Sequence, residues 1–175
     1  MRPVSDRFEM PDGTVFSVTR SPADPERESL EMEFLLPPGC LAPPPHVHPG
    51  GQSELFEVLE GSFELLKGRA WRQLEAGESL SVEPGEIHTF RNRSGATARV
   101  RNLHDPGHSF ERYIRRLHTI VTEQGITGIS PKAAVYLSLL WREHRDTIAP
   151  AHLPQRAGMA LLATVGRALR LRLPD

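Results

Sequence analysis

Two histidines that stand two residues apart, His46 and His48, are the residues of this chain best suited to chemistry. They lie in the segment PHVHP, residues 45–49, where a strand is expected to begin. Alternate side chains of a strand point to the same face, with Cα atoms roughly 6.5–7 Å apart. Two imidazoles on one face can therefore bind a single metal ion at about 2 Å each.

Two further residues complete a candidate ligand set. Glu54 opens the next strand-like run, and His88 follows the tight turn at Pro84-Gly85. Three neutral imidazole nitrogens and one carboxylate suit a divalent transition metal (Fe, Mn, Ni, Cu, Co or Zn) and disfavour Mg or Ca, which prefer oxygen ligands. The sequence therefore predicts one metal ion on His46, His48, Glu54 and His88.

The other polar candidates are expected to be structural. Gln52 is expected to face water from a loop, and Asn92 to bond the backbone of a turn. Cys40 has no adjacent base, so we expect an inert thiol. The remaining histidines show no ligand spacing and are interpreted as surface or packing residues: His104, His108, His118, His144 and His152.

The elements that must position the ligands are short strands. From about residue 13 to residue 101, runs such as LEMEF (30–34) and LFEVL (55–59) alternate apolar and polar residues, as half-buried strands do. Breakers such as Glu60-Gly61 and Ala76-Gly77 separate the runs. This spacing is typical of a small β-barrel or sandwich.

After Pro106-Gly107 the apolar period becomes helical. Helices are predicted over 109–124, from Ser130-Pro131 onward, and from near Pro154 to before Pro174. Their apolar faces are expected to pack on the barrel or to form a homodimer interface. We therefore divide the chain into an N-terminal segment (1–12), a β-barrel (13–105) and a helical extension (106–175).

Bulk properties exclude several function classes. A formal net charge of −1 argues against nucleic acid as a partner, and no apolar run is long enough to span a bilayer. The N-terminus lacks the apolar core of a secretory signal, and a single cysteine fits a reducing compartment. A cytoplasmic protein is therefore expected.

Two stretches of the barrel carry a family resemblance. HVHPGGQSELFEVLEG (46–61) resembles the first motif of the cupins, and GESLSVEPGEIHTFRN (77–92) resembles the second. The resemblance implies a double-stranded β-helix, or jelly-roll, barrel and the ligands His46, His48, Glu54 and His88. With its helical tail, the chain is similar to bacterial single-cupin proteins.

Three function classes are open within such a family. A metal-dependent oxidoreductase of the dioxygenase type is favoured, because no general base beyond the ligands stands out in the sequence. The alternatives are a non-redox isomerase, decarboxylase or lyase that uses the metal as a Lewis acid, and a module that binds a small molecule without turnover. Fold alone does not decide among them. In each case the expected partner is a small organic molecule.

Overall fold

The computed structural model of the protein describes residues 6–40, 43–126 and 130–173. Ten strands precede the helices in these ranges: β1 (Asp6–Glu9), β2 (Val15–Arg20), β3 (Leu30–Leu36), β4 (His46–Val47), β5 (Ser53–Glu60), β6 (Ser62–Lys67), β7 (Ala70–Glu75), β8 (Ser79–Val82), β9 (His88–Arg91) and β10 (Ala98–Asp105). They are followed by α1 (Phe110–Glu123), α2 (Pro131–Glu143), β11 (Ala149–Pro150) and α3 (Leu153–Ala168). The fold is therefore mainly antiparallel β with C-terminal helices, as the sequence predicted.

The strands form two facing sheets. One has the order β1-β2-β3-β10-β5-β8 and the other the order β11-β4-β9-β6-β7, with antiparallel pairing throughout the described residues. Apart from the consecutive pairs β1-β2, β2-β3 and β6-β7, neighbours in each sheet are distant in sequence, as in a double-stranded β-helix. The N-terminal segment adds a paired edge strand, β1, and the helical extension adds β11 to the second sheet.

Strict alternation of burial builds the barrel interior. In β3, β5 and β10, every second side chain is buried, which is the pattern of a sheet that packs one face on a core. Phe34, Phe56, Phe63 and Phe90 fill the middle of this core. Toward one end of the barrel the inward positions become polar, and this change marks the candidate site.

The helices cover that side of the molecule. Phe110 and Ile114 of α1 belong to the barrel core, whereas Ile120 packs with α2 in a second apolar cluster. In α3, Ala163 and Gly166 are buried while Leu153 and Leu161 remain exposed, as does Leu169 directly after the helix. None of the helices in the described ranges is long and apolar enough to cross a membrane.

Candidate metal centre

Four side chains from three strands and one loop converge inside the barrel. His46 opens β4 and pairs in register with His88, the first residue of β9. His48 follows β4, and Glu54 lies near the start of β5. Their ligand atoms all lie within 4.8 Å of one another, and all four residues are buried. The structure thus brings together the four residues selected from the sequence.

The second nitrogen of each imidazole orients the ring. The Nδ1 atoms contact backbone carbonyl oxygens: His46 reaches Pro44 at 2.9 Å, His88 reaches Glu86 at 3.0 Å, and His48 reaches Thr147 at 2.5 Å. A carbonyl can only accept a hydrogen bond, so each Nδ1 carries the proton. When neutral, each ring therefore turns its Nε2 toward the cluster, which is the arrangement found around metal-binding histidines.

Glu54 supplies the negative charge of the cluster. Its Oε1 accepts a hydrogen bond from Asn102 Nδ2 at 2.8 Å, which holds the carboxylate in place. Its Oε2 lies 3.1 Å from His48 Nε2 and 2.8 Å from His88 Nε2. His88 Nε2 makes no hydrogen bond within the described chain. Three imidazole nitrogens and one carboxylate oxygen that converge in this way form a donor set that fits a transition-metal ion.

The electrostatics of the protein agree with that requirement. Burial, followed by the neighbouring His88 and His48, lowers the pKa of His46 well below 6.5. Burial would raise the pKa of Glu54, but His104 and His88 outweigh it and hold that pKa well below 4.5. Burial likewise opposes protonation of His88, yet the Glu54 carboxylate raises the His88 pKa above 6.5. The centre therefore carries an ionised carboxylate and favours positive charge beside it.

His104 is a fourth histidine of this site, which the sequence interpretation treated as a surface or packing residue. It lies on β10 directly opposite Glu54 in register, is fully buried, and brings Nε2 to 3.3 Å from Glu54 Oε1. Its ring stacks on Phe110 at 3.7 Å between centroids. Neither of its nitrogens has a hydrogen-bond partner in the described residues, and burial lowers its pKa to about 3.

Gln52 also departs from expectation. It does not face water but is fully buried, donating from Nε2 to the Pro106 carbonyl at 2.6 Å. Its Oε1 accepts a hydrogen bond from Thr147 Oγ1 at 2.9 Å. Water is excluded from this loop because residues of the helical extension cover it. This contact cannot be predicted from the residues that surround Gln52 in the sequence.

Two other residues behave as the sequence interpretation expected. Asn92 donates to the carbonyls of Leu36 and Ala96 and accepts from the Ser94 amide, so it braces a turn. Cys40 is buried, and burial raises the pKa of its thiol. Neither side chain belongs to the histidine and glutamate cluster.

A cavity of about 520 Å³ lies elsewhere, between the helices. It is lined by apolar residues of the extension and by Arg116, Arg142, Arg167 and Arg172, and by none of the four cluster residues. We assign the site chemistry to the buried cluster because donor atoms and charge converge there, whereas the polar lining of this cavity consists of the four arginines and Glu143, which pairs with Arg116.

Comparisons with known proteins agree on the barrel. Residues 32–104 match the family model described as a Cupin domain. A crystal structure of the protein TT1209 from Thermus thermophilus is similar over 58% of this chain and 90% of its own, with 24% identity and a TM-score of 0.50. A predicted oxalate decarboxylase from Thermotoga maritima is similar over 60% of this chain and 98% of its own, with 19% identity and a TM-score of 0.51. No curated protein sequence matches the chain.

Proposed function

The chain carries a cupin domain at residues 32–104, and from this premise we propose that it is a metal-dependent enzyme. Its metal is one divalent transition ion, drawn from Fe, Mn, Ni, Cu, Co or Zn, held by His46, His48, Glu54 and His88. Its substrate is a small organic molecule. The structural neighbours, at under 25% identity, support the fold and carry no argument about the reaction.

The observation that carries this proposal is the orientation of the three imidazoles. Each Nδ1 is committed to a backbone carbonyl, so each ring directs its Nε2 to the cluster. Asn102 holds Oε1 of Glu54, which leaves Oε2 facing His48 and His88. His48 Nε2 lies within hydrogen-bond distance of Glu54 Oε2, but His88 Nε2 has no hydrogen-bond partner in the described residues, and a metal ion would satisfy this buried nitrogen.

A bound transition metal supplies redox or Lewis-acid chemistry at this point. Between these two classes we favour the oxidoreductase of the dioxygenase type. Proton-transfer chemistry needs a base whose pKa lies near the working pH. The buried non-ligand imidazole beside the cluster is His104, and burial lowers its pKa to about 3. His104 is therefore a weak base, although its neutral ring can still donate one hydrogen bond and accept another.

The second candidate is the non-redox enzyme, and His104 is also the observation in its favour. Both of its nitrogens lack partners in the described residues, although it is fully buried. An uncommitted imidazole next to the ligand Glu54 is suited to binding a polar substrate group. A reaction that needs orientation and polarisation, with little proton transfer, is compatible with such a residue.

Elemental analysis of protein purified without added metal tests the proposal first. One transition ion per chain is the expected result. Less than a tenth of an ion per chain, both as purified and after incubation with Fe(II), Mn(II), Ni(II), Cu(II), Co(II) and Zn(II), overturns it.

Turnover assays then separate the classes of function. Aromatic and keto-acid compounds that stabilise the metal-loaded protein in a thermal-shift screen are incubated with it in an oxygen electrode. Oxygen consumption with product supports the dioxygenase type, and product without oxygen consumption supports the non-redox enzyme. Stabilisation by compounds that are never converted identifies a binding module and contradicts the proposal of an enzyme.

A further inference from the structure

The helical extension reaches the metal centre through the segment between α2 and α3, residues 144–151, here called the closing segment. Thr147 of this segment is fully buried, and its carbonyl oxygen accepts the hydrogen bond from His48 Nδ1. His46 and His88 are oriented by carbonyls only two residues away in sequence. His48 differs, because its orienting group lies 99 residues away.

A second hydrogen bond fixes the position of that carbonyl. Thr147 Oγ1 donates to Gln52 Oε1 at 2.9 Å, and Gln52 Nε2 donates to the Pro106 carbonyl at 2.6 Å. Gln52 stands in the loop between His48 and Glu54 and is fully buried. The closing segment is thus tied to the loop that joins two of the ligands.

Main-chain pairing joins the closing segment to the ligand strand as well. In β11, Ala149 and Pro150 pair with Val47 and His46 of β4, and the Ala151 amide donates to the Pro45 carbonyl at 3.0 Å. Arg156 Nε of α3 donates to the Pro150 carbonyl at 2.6 Å. Movement of the helices is therefore transmitted to the strand that carries His46 and precedes His48.

From these contacts we propose that the closing segment is a positioning element of the metal centre, with Thr147 and Gln52 as its positioning residues. This inference rests on the proposed metal function and adds that metal binding depends on the helical extension. The extension holds His48 in the orientation that presents Nε2, so the affinity of the centre for metal depends on the packing of the helices. By linkage, a bound metal stabilises the closing segment to the same extent.

Cobalt(II) is a suitable probe because its absorption spectrum reports the geometry of its ligands. Thr147→Val removes the hydroxyl that holds Gln52 while it retains the shape of the side chain and the backbone carbonyl. We expect Co(II) to bind this variant about 10-fold more weakly, at the lower end of the usual effect of removing groups that orient metal ligands. A change in the Co(II) spectrum is expected with it.

Ser138→Ala is the matched control. Ser138 is also a fully buried hydroxyl of the extension, and it donates to the Ala134 carbonyl within α2. Both variants lose one buried hydrogen bond, so both are expected to lower the melting temperature of the metal-free protein. Only Thr147→Val is expected to change the Co(II) dissociation constant and spectrum.

Hydrogen exchange on the unmodified protein keeps the inference testable where Thr147→Val fails to fold. Co(II) should slow amide exchange in residues 144–151 by at least several-fold. If the protein binds one Co(II) with unchanged exchange in this segment, or Thr147→Val binds as tightly as the parent, the inference is wrong and the metal site stands. If the parent chain binds none of the six ions, Co(II) included, the proposed metal function fails, and the inference fails with it.

Discussion

His88 Nε2 lies 2.8 Å from Glu54 Oε2 but does not form a hydrogen bond with it. The Nδ1 atom of the same ring is committed to the Glu86 carbonyl. A proton on Nε2 or a metal ion beside it would balance the carboxylate charge at this separation, and the Glu54 carboxylate accordingly raises the His88 pKa. This contact therefore shows that the cluster favours positive charge, from a protonated His88 or from a metal ion, beside the Glu54 carboxylate.

We expect His88→Ala to abolish stoichiometric metal binding. The variant removes one of three nitrogen ligands and leaves Glu54 with fewer partners, while the β9 main chain still pairs with β6. Elemental analysis after incubation with metal measures the loss, and circular dichroism checks that the barrel remains folded. His152→Ala is the control, because His152 is exposed and outside the cluster. Full metal content in a folded His88→Ala protein would remove His88 from the ligand set.

The burial of His104 leads to the prediction that replacing this residue stabilises the metal-free protein. Its two nitrogens have no partners in the described residues, and an unsatisfied buried polar group costs about 1–3 kcal/mol. His104→Leu removes that cost but also loses the stacking on Phe110, worth about 0.5–1.5 kcal/mol. We expect the metal-free variant to be more stable than the parent by about 1 kcal/mol in urea unfolding at pH 7. A clear loss of stability would mean that the imidazole is hydrogen-bonded in solution.

The same variant should change the pH dependence of stability. The pKa of His104 is lowered to about 3 in the folded protein, against 6.5 for the unfolded chain. Below pH 6.5 the unfolded state therefore binds a proton that the folded state does not, and the parent loses stability as pH falls toward 3. His104→Leu lacks this loss. Its advantage over the parent should grow by up to about 1.4 kcal/mol per pH unit between pH 6 and pH 4, measured with a chelator present. A constant difference would contradict this assignment.

The ligand set was readable from the sequence because metal chemistry restricts residue type and strand geometry restricts direction. His46 and His48 share a face through their spacing of two. Glu54 opens the next strand-like run, and His88 follows a tight turn. The barrel was readable for a similar reason, since alternation in β3 and β5 reports which face is buried. Local pattern and local chemistry were sufficient for these features.

His104 and Gln52 depend on contacts that no local pattern contains. The sequence contains a signal for His104, because Val100, Asn102 and His104 alternate along β10 and so point to the same, inward face. Its significance comes from the register that sets it opposite Glu54. Gln52 carries no comparable signal, because it is buried only through Thr147 and Pro106 of the later chain.

Asn92 is expected to contribute to stability and not to metal binding. Its side chain satisfies the Leu36 and Ala96 carbonyls and the Ser94 amide. Asn92→Ala removes the side-chain hydrogen bonds of two carbonyls and one amide. We therefore expect the free energy of unfolding of the metal-free protein, measured in urea, to fall by about 2–3 kcal/mol. The Co(II) dissociation constant should stay within about two-fold of the parent value, since 1.4 kcal/mol corresponds to ten-fold. A ten-fold weaker constant would place Asn92 among the groups that support the centre.

Gly61, in the turn between β5 and β6, approaches the neighbouring backbone more closely than a side chain allows. Its φ is +73°, and a Cβ built there would lie 2.9 Å from the Thr97 carbonyl oxygen and 3.3 Å from Ala98 Cα. These are backbone atoms, so they cannot rotate away as a side chain would. Gly77 has a similar φ of +90° but has no atom within 4 Å of its Cβ position. Any other residue would therefore be strained by the backbone at both positions, but only at residue 61 would its Cβ also be crowded.

We expect Gly77→Ala to cost about 1–2 kcal/mol, from the left-handed backbone alone. Gly61→Ala should cost about 1–3 kcal/mol more, because β5 or β10 must shift to admit the methyl group. Urea unfolding of both metal-free variants at one pH measures the difference. β5 carries Glu54, and β10 carries Asn102 and His104, so the shift should also weaken Co(II) binding in Gly61→Ala and leave it unchanged in Gly77→Ala. Equal losses of stability in the two variants would show that strain at positive φ, and not the close approach to Thr97, determines the requirement for glycine at residue 61.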